Sequence, residues 1–211
     1  MSNDPLRVAK TQMRRLIVDR ILAMNPDDRA RQEKALLERF PSLPGFDRAA
    51  TVLLFVAHLP EEFPTLPLIA TAIERGKTVA CPRVDRQERR LRLYQLDDPA
   101  HDLVPGPFGI PEPKPGSPEI EADRIDWALI PGIAFDARGF RIGRGAGYYD
   151  RLLPLLRPPT PRLAMVLEPQ WVDEIPTEPH DQPVHGVIGA ERSWLSSALP
   201  AEAPPPGRFQ D

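Results

Sequence analysis

Apolar positions along this chain follow two periods, and the switches between them mark its elements. Met13, Leu16, Ile17, Ile21 and Met24 recur at the spacing of one helical face. Asn3 or Asp4 can cap that helix, and Pro5 suits a first turn, where a backbone N–H would be unpaired anyway. A second helix follows at once. Asn25 is its cap, Pro26 comes next, and Asp27 and Asp28 complement the helix dipole. It is expected to run to about Phe40. Then the period changes. Residues 51–57 are an unbroken apolar run, as in a strand covered on both faces. Residues 65–75 return to helical spacing and stop at Gly76, a suitable C-cap. Residues 78–84 read as a second strand. Strand, helix and strand make a βαβ unit, which predicts a parallel pairing with a right-handed crossover. Residues 91–96 alternate weakly and suit an edge strand. Further strands are expected at 127–130, 163–167 and 186–188, with a helix from near Gly147 through Leu155. The predicted fold class is α/β, an open and mostly parallel sheet flanked by helices.

Composition changes this picture in two places. The chain has 28 prolines in 211 residues, and seven of them fall within 99–118 among Gly106, Gly109 and Gly116. That segment reads as a long connecting loop. Residues 196–211 carry Pro200, Pro204, Pro205 and Pro206 with little to bury, and read as a disordered tail behind a single domain at 1–195. Charge excludes some functions. A net charge of −3 gives no sequence-wide pull toward nucleic acid or an anionic membrane. No apolar run approaches the ~20 residues of a membrane span, and the first five residues have no apolar signal core. The one cysteine, Cys81, rules out an intramolecular disulfide and reads as a small buried hydrophobe. A cytoplasmic location fits these features.

The densest chemistry lies in residues 131–151, after a strand and before a helix. Gly139, Gly143, Gly145 and Gly147 stand close together there. Glycine lets a ligand approach backbone amides, and the helix that follows offers free N–H groups to an anion. Arg141 and Arg144 add forked donors suited to phosphate. The stretch lacks the Gly-Lys-Ser/Thr ending of a P-loop and the spacing of a dinucleotide fingerprint. A mobile surface turn could also be glycine-rich, but a turn needs neither two arginines nor the adjoining Tyr148, Tyr149 and Asp150. Lys10 and Arg14 lie four apart on one helix face, either as solvated charges or as a phosphate clamp. Residues 58–65 follow the first buried strand, where α/β sheets bind ligands. Glu62 there can accept from a heterocycle or be solvated beside a Thr65 cap. In the loop 175–181, Asp181 can join Asp150 in holding Mg²⁺, which takes one or two carboxylates plus substrate phosphates. No zinc spacing and no Ser or Cys nucleophile motif appears.

Together these segments resemble the 5-formyltetrahydrofolate cyclo-ligases, also called methenyltetrahydrofolate synthetases. The 131–151 block carries the family's Pro-Gly, Phe-Asp, Gly and Arg-x-Gly-x-Gly-x-Gly-Tyr-Tyr-Asp order. Lys10 and Arg14 match its Lys-x-x-x-Arg, and Glu62 with Thr65 its Glu-x-x-Thr. Gly76-Lys77, Pro82-Arg83, the Gly-Ile-x-Glu-Pro of 109–113 and His180-Asp181 follow in order. The resemblance implies a three-layer architecture like that of the NagB, RpiA and CoA-transferase group. It implies ATP-driven conversion of 5-formyltetrahydrofolate to 5,10-methenyltetrahydrofolate with Mg²⁺, by a monomer or homodimer that needs no nucleic acid or membrane partner. By the resemblance Lys10, Arg14, Gly143, Gly145 and Gly147 hold the ATP phosphates, joined by Arg141. Arg144 and Tyr148 are the catalytic pair between ATP and folate, Glu62 binds the pterin side, and Asp150 and Asp181 bind Mg²⁺. The chain departs from the pattern at Arg144, where some relatives carry Tyr, and at His185-Gly186, where an acidic residue is common. The alternatives are a phospho-substrate enzyme on a related scaffold and a diverged ATP- or folate-binding protein.

Overall fold

A computed structural model describes residues 4–199. The tail expected over 196–211 lies outside the described residues from position 200 onward, as does Asn3, the alternative cap. Asp4 caps the first helix, α1 (Pro5–Leu22), its carboxylate accepting from Leu6 N at 3.1 Å. Asn25 caps α2 (Pro26–Arg39) by accepting from Asp27 N and Asp28 N. On α1 the buried stripe is Lys10, Ile17 and Ile21, with Met13, and Met24 just past the helix end, half-buried against the core. Leu16 is exposed instead, because it precedes Ile17 by one residue and so points about 100° away from that stripe.

In chain order the strands are β1 (Thr51–Leu53), β2 (Thr78–Asp85), β3 (Arg90–Gln95), β4 (Leu103–Pro105), β5 (Pro111–Pro113), β6 (Glu119–Ile120), β7 (Trp127–Leu129), β8 (Ala134–Phe135), β9 (Arg141–Ile142), β10 (Arg162–Met165), β11 (Gly186–Ile188) and β12 (Ser193–Leu195). Two further helices are α3 (Leu66–Glu74) and α4 (Tyr148–Leu152). The main sheet has the order β12-β11-β10-β7-β1-β2-β3-β6. Its five central strands are parallel, and antiparallel strands close both edges. Alternate side chains feed two cores. Val52, Leu54, Trp127 and Leu129 join α1, α2 and α3 on one face. Leu53, Ala128, Ile130 and Ala164 pack with Leu152 and Leu153 on the other. Helices on both faces explain why these strands read as continuous apolar runs.

Several boundaries differ from the sequence expectation for physical reasons. The strand expected to reach Ala57 stops at Leu53. Beyond it, Phe55 O accepts from the Thr65 hydroxyl at 2.6 Å, and Ala57 N donates back to that oxygen at 2.8 Å. One buried side chain replaces a ladder and turns the backbone toward the site. The helix expected through Leu155 ends at Leu152 and tightens into a 3₁₀ turn, since Pro154 has no N–H to continue it. The proline-rich loop over 99–118 contains the β4–β5 hairpin, in which Leu103 faces Pro113 and Pro105 faces Pro111. Buried Glu112 accepts from Val84 N at 3.0 Å and so ties this hairpin to β2. The strand read as an edge, β3, is covered by the two-residue β6.

Candidate active site

Three loops follow the C-terminal ends of parallel strands: residues 54–65 after β1, 130–147 after β7 and 166–185 after β10. They converge on α1. Asp136 organises two of them. It is fully buried and accepts from Arg138 N, Phe140 N and Ile175 N, while the Arg138 guanidinium grips its Oδ2 at 2.7 Å. The turn of the β8–β9 hairpin and the segment leading to Asp181 are therefore fixed by one carboxylate.

Lys10 reaches that segment. Its Nζ donates to Asp181 Oδ2 at 2.7 Å and Glu178 Oε2 at 2.8 Å. Burial alone would lower its pKa, but the two carboxylates outweigh burial and raise it. The same contact, against the opposing effect of burial, holds the Asp181 carboxyl below the usual range. One turn along α1, Arg14 Nε donates to Gly143 O at 2.7 Å. A Cβ placed on Gly145, whose φ is +96°, would press within 3.5 Å of the Arg14 guanidinium. Burial lowers the Arg14 pKa, opposed by Asp181. The helix face read as solvated charge or phosphate clamp is thus closed onto the glycine-rich loop.

Arg144 sits at the loop's exposed tip, and its Nη2 donates to Glu61 at 2.8 Å and Glu62 at 3.0 Å. The two glutamates raise its pKa against the burial that lowers it. Glu62 is itself anchored, its other oxygen accepting from His58 N and Leu59 N. Arg14, Arg15, Glu61, Ile133 and Arg144 line a cavity of about 340 Å³, within the range of small-molecule sites. Gly147, at φ +67°, opens α4, and Tyr148 is the helix's first residue. The Arg151 guanidinium lies 5.2 Å over the Tyr148 ring.

The structure brings Lys10, Arg14, Gly143, Gly145 and Asp181 together, and Arg144 with Glu62. Asp150 and Asp181 have different hydrogen-bond partners, though both act on the charge of Arg141. Asp150 accepts from buried Arg141 at 2.8 Å; burial pushes the Arg141 pKa down, with Asp150 opposing. Asp181 instead groups with Glu178 and His180, whose ligand atoms all lie within 4.8 Å of one another. His185, which sequence reading set beside the metal site, contacts Arg162 instead. Sequence reading also passed over Glu61, Glu178 and Asp136. The first adjoins Glu62 and the second stands in the segment already singled out, so neighbourhood was their one signal.

The 5-formyltetrahydrofolate cyclo-ligase family profile matches residues 7–190. A 5-formyltetrahydrofolate cyclo-ligase of Mycolicibacterium smegmatis is 35% identical over 137 residues, 63% of this chain and 70% of that one. The mouse 5-formyltetrahydrofolate cyclo-ligase is 27% identical over 191 residues, covering 85% and 93%. The solution structure of Aquifex aeolicus 5,10-methenyltetrahydrofolate synthetase superposes with a TM-score of 0.77 at 25% identity, covering 96% of each chain.

Proposed function

The chain belongs to the 5-formyltetrahydrofolate cyclo-ligase family, and from that premise we propose that it converts 5-formyltetrahydrofolate and ATP to 5,10-methenyltetrahydrofolate, ADP and phosphate in the cytoplasm. The observation that carries this reading is the closure of α1 onto the glycine-rich loop, through Arg14 to Gly143 and Lys10 to Asp181. It puts the Arg14 guanidinium against the glycine-rich loop and the Lys10 ammonium one turn away on the same helix face, two donors suited to a polyphosphate.

The chemistry follows from the substrate. A formyl oxygen on nitrogen is a poor leaving group. Transfer of the γ-phosphoryl group of ATP makes it a phosphate ester, and ADP departs. N10 of the folate then attacks the formyl carbon, the ring closes, and the C–O bond breaks to release phosphate. Such transfer needs positioning and charge neutralisation more than covalent help. Lys10, Arg14, Arg141 and the amides of Gly143, Gly145 and Gly147 grip the phosphates. Arg144 faces the moving phosphoryl group, held in place by Glu61 and Glu62. Tyr148 closes the other side. Oε1 of Glu62 accepts once, from Arg144, and keeps a further lone pair for a donor of the pterin, while Oε2 is filled by two backbone N–H groups.

The donor set fits Mg²⁺. Lys10, Arg14, Arg141 and Arg144 face the carboxylates of Glu61, Glu62, Asp150, Glu178 and Asp181. A site already slightly negative needs a divalent cation before it admits a polyphosphate. Glu178 and Asp181 supply hard oxygen ligands, with Asp150 the further candidate. When bound, the ion would neutralise phosphate charge.

The direct test is the near-ultraviolet absorbance of the methenyl product. Purified protein is mixed with 5-formyltetrahydrofolate and Mg²⁺, with and without ATP. An ATP-dependent rise is expected. A flat trace from folded protein that binds ATP would leave only a nucleotide-binding protein.

A further inference from the structure

Away from this site, a second cavity of about 300 Å³ lies between the 3₁₀ turn after α4 and the first residues of β10 and β11. Arg157, Arg162 and His185 supply its charge-bearing lining. Arg162 is half-buried, and among the described residues no carboxylate pairs with it. Burial lowers its pKa, and nearby Arg141, a second cation, lowers it further. Arg157 Nε is buried without a hydrogen-bond partner, and its outer nitrogen meets Asp126 only at 3.4 Å.

The His185 ring adds an independent observation. Arg162 N stands 3.2 Å from Nδ1, and Arg162 Nη2 stands 2.9 Å from Nε2. Both of these arginine groups are donors. A neutral imidazole has one N–H and one acceptor nitrogen, so either tautomer leaves one donor facing another. Protonation of the ring makes both contacts repulsive. With the backbone N–H satisfied at Nδ1, Nε2–H and the guanidinium both turn toward an acceptor that no described side chain supplies.

We propose that this cavity is a binding site for a small oxyanion of the phosphate class, held by Arg162 and the Nε2–H of His185, with Arg157 as a further donor. One oxygen accepting from both groups relieves their mutual repulsion, and the anion's charge offsets the two arginines, of which only Arg157 meets a carboxylate. The site is separate from the proposed ATP site in its lining: it lies where β10 and β11 begin, and none of Lys10, Arg14, Gly143, Gly145 or Asp181 lines it.

The test is a titration of the full chain with inorganic phosphate, against chloride at matched ionic strength. It is followed by the NMR signal of the His185 ring, assigned through its loss in His185→Gln. Phosphate is expected to shift that signal saturably and to raise the ring's pKa from its free value of about 4. Arg162→Gln is expected to weaken the response about tenfold or more, as fits loss of one charge-assisted donor. Arg157→Gln, nearer the surface, covers the case in which Arg162→Gln does not fold, and is expected to weaken it by a smaller factor. Lys10→Gln, which alters the other anion site, is expected to leave the response intact. A His185 signal that chloride moves equally, that persists in both arginine variants, or that disappears in Lys10→Gln would overturn the proposal.

Discussion

Arg144 is an arginine at a loop tip whose guanidinium is steadied by two glutamates, one of them buried. In the proposed mechanism a free arginine would spend rotamer entropy on meeting the transition state; this one has lost that freedom in advance. Arg144→Ala removes the charge and strands Glu61 and Glu62 together. Because the side chain is exposed, the fold is expected to survive with a near-unchanged melting temperature. Turnover is expected to fall about 100-fold or more, the scale of losing one preorganised donor to developing charge. Steady-state kinetics beside a thermal melt checks both halves, and normal turnover would remove Arg144 from the mechanism. At this scale the sequence was a good guide to residue type and a poor one to partners. Lys10 and Arg14 were visible as a pair on one helix face. That one meets a carboxylate pair and the other a backbone carbonyl depends on loops more than 120 residues away. For the same reason sequence could not show that Asp150 contacts Arg141, an arginine whose charge Asp181 also feels.

Among the elements, the connections matter more than the strands they leave. Asp136 joins the β8–β9 turn to the segment carrying Glu178 and Asp181 through five backbone and side-chain donors on two loops. Asp136→Ala leaves those donors buried and unmatched. A stability loss of about 3 kcal/mol or more is expected, read as a lower denaturant midpoint, with weaker ATP binding even in the surviving folded fraction. A change in stability without any change in ATP affinity would mean that the loops hold their places independently. The central strands and the capped starts of α1 and α2 were legible because apolar runs and caps are local signals. The early end of β1 was not, since Thr65 replaces its ladder from ten residues on. The β4–β5 hairpin was hidden as well. Proline normally argues against a strand, and here the prolines sit in a separate two-stranded ribbon tied down by Glu112.

For the whole molecule, the sheet sets how the two ends of its parallel strands respond to solution conditions. His185 has a pKa lowered to about 4 by burial, with the charge of Arg162 adding to the effect. Its ordinary value is 6.5. Between these values the unfolded chain takes up a proton at this position that the folded chain refuses, so stability falls as pH falls through that window. Denaturant midpoints measured near pH 7 and near pH 4.5 in a phosphate-free buffer are expected to differ more in the natural chain than in His185→Gln. Equal differences would place the acid sensitivity elsewhere.

The contact between Lys10 and Asp181 spans 171 positions, which has a meaning during synthesis. A ribosome emits Lys10 early and Asp181 late, so for most of translation the lysine has neither of its carboxylates. An unfinished chain that ends before the loop behind β10 lacks this contact. In the proposed reaction, capture of ATP through this pair therefore waits until the β10 strand and the loop behind it have emerged.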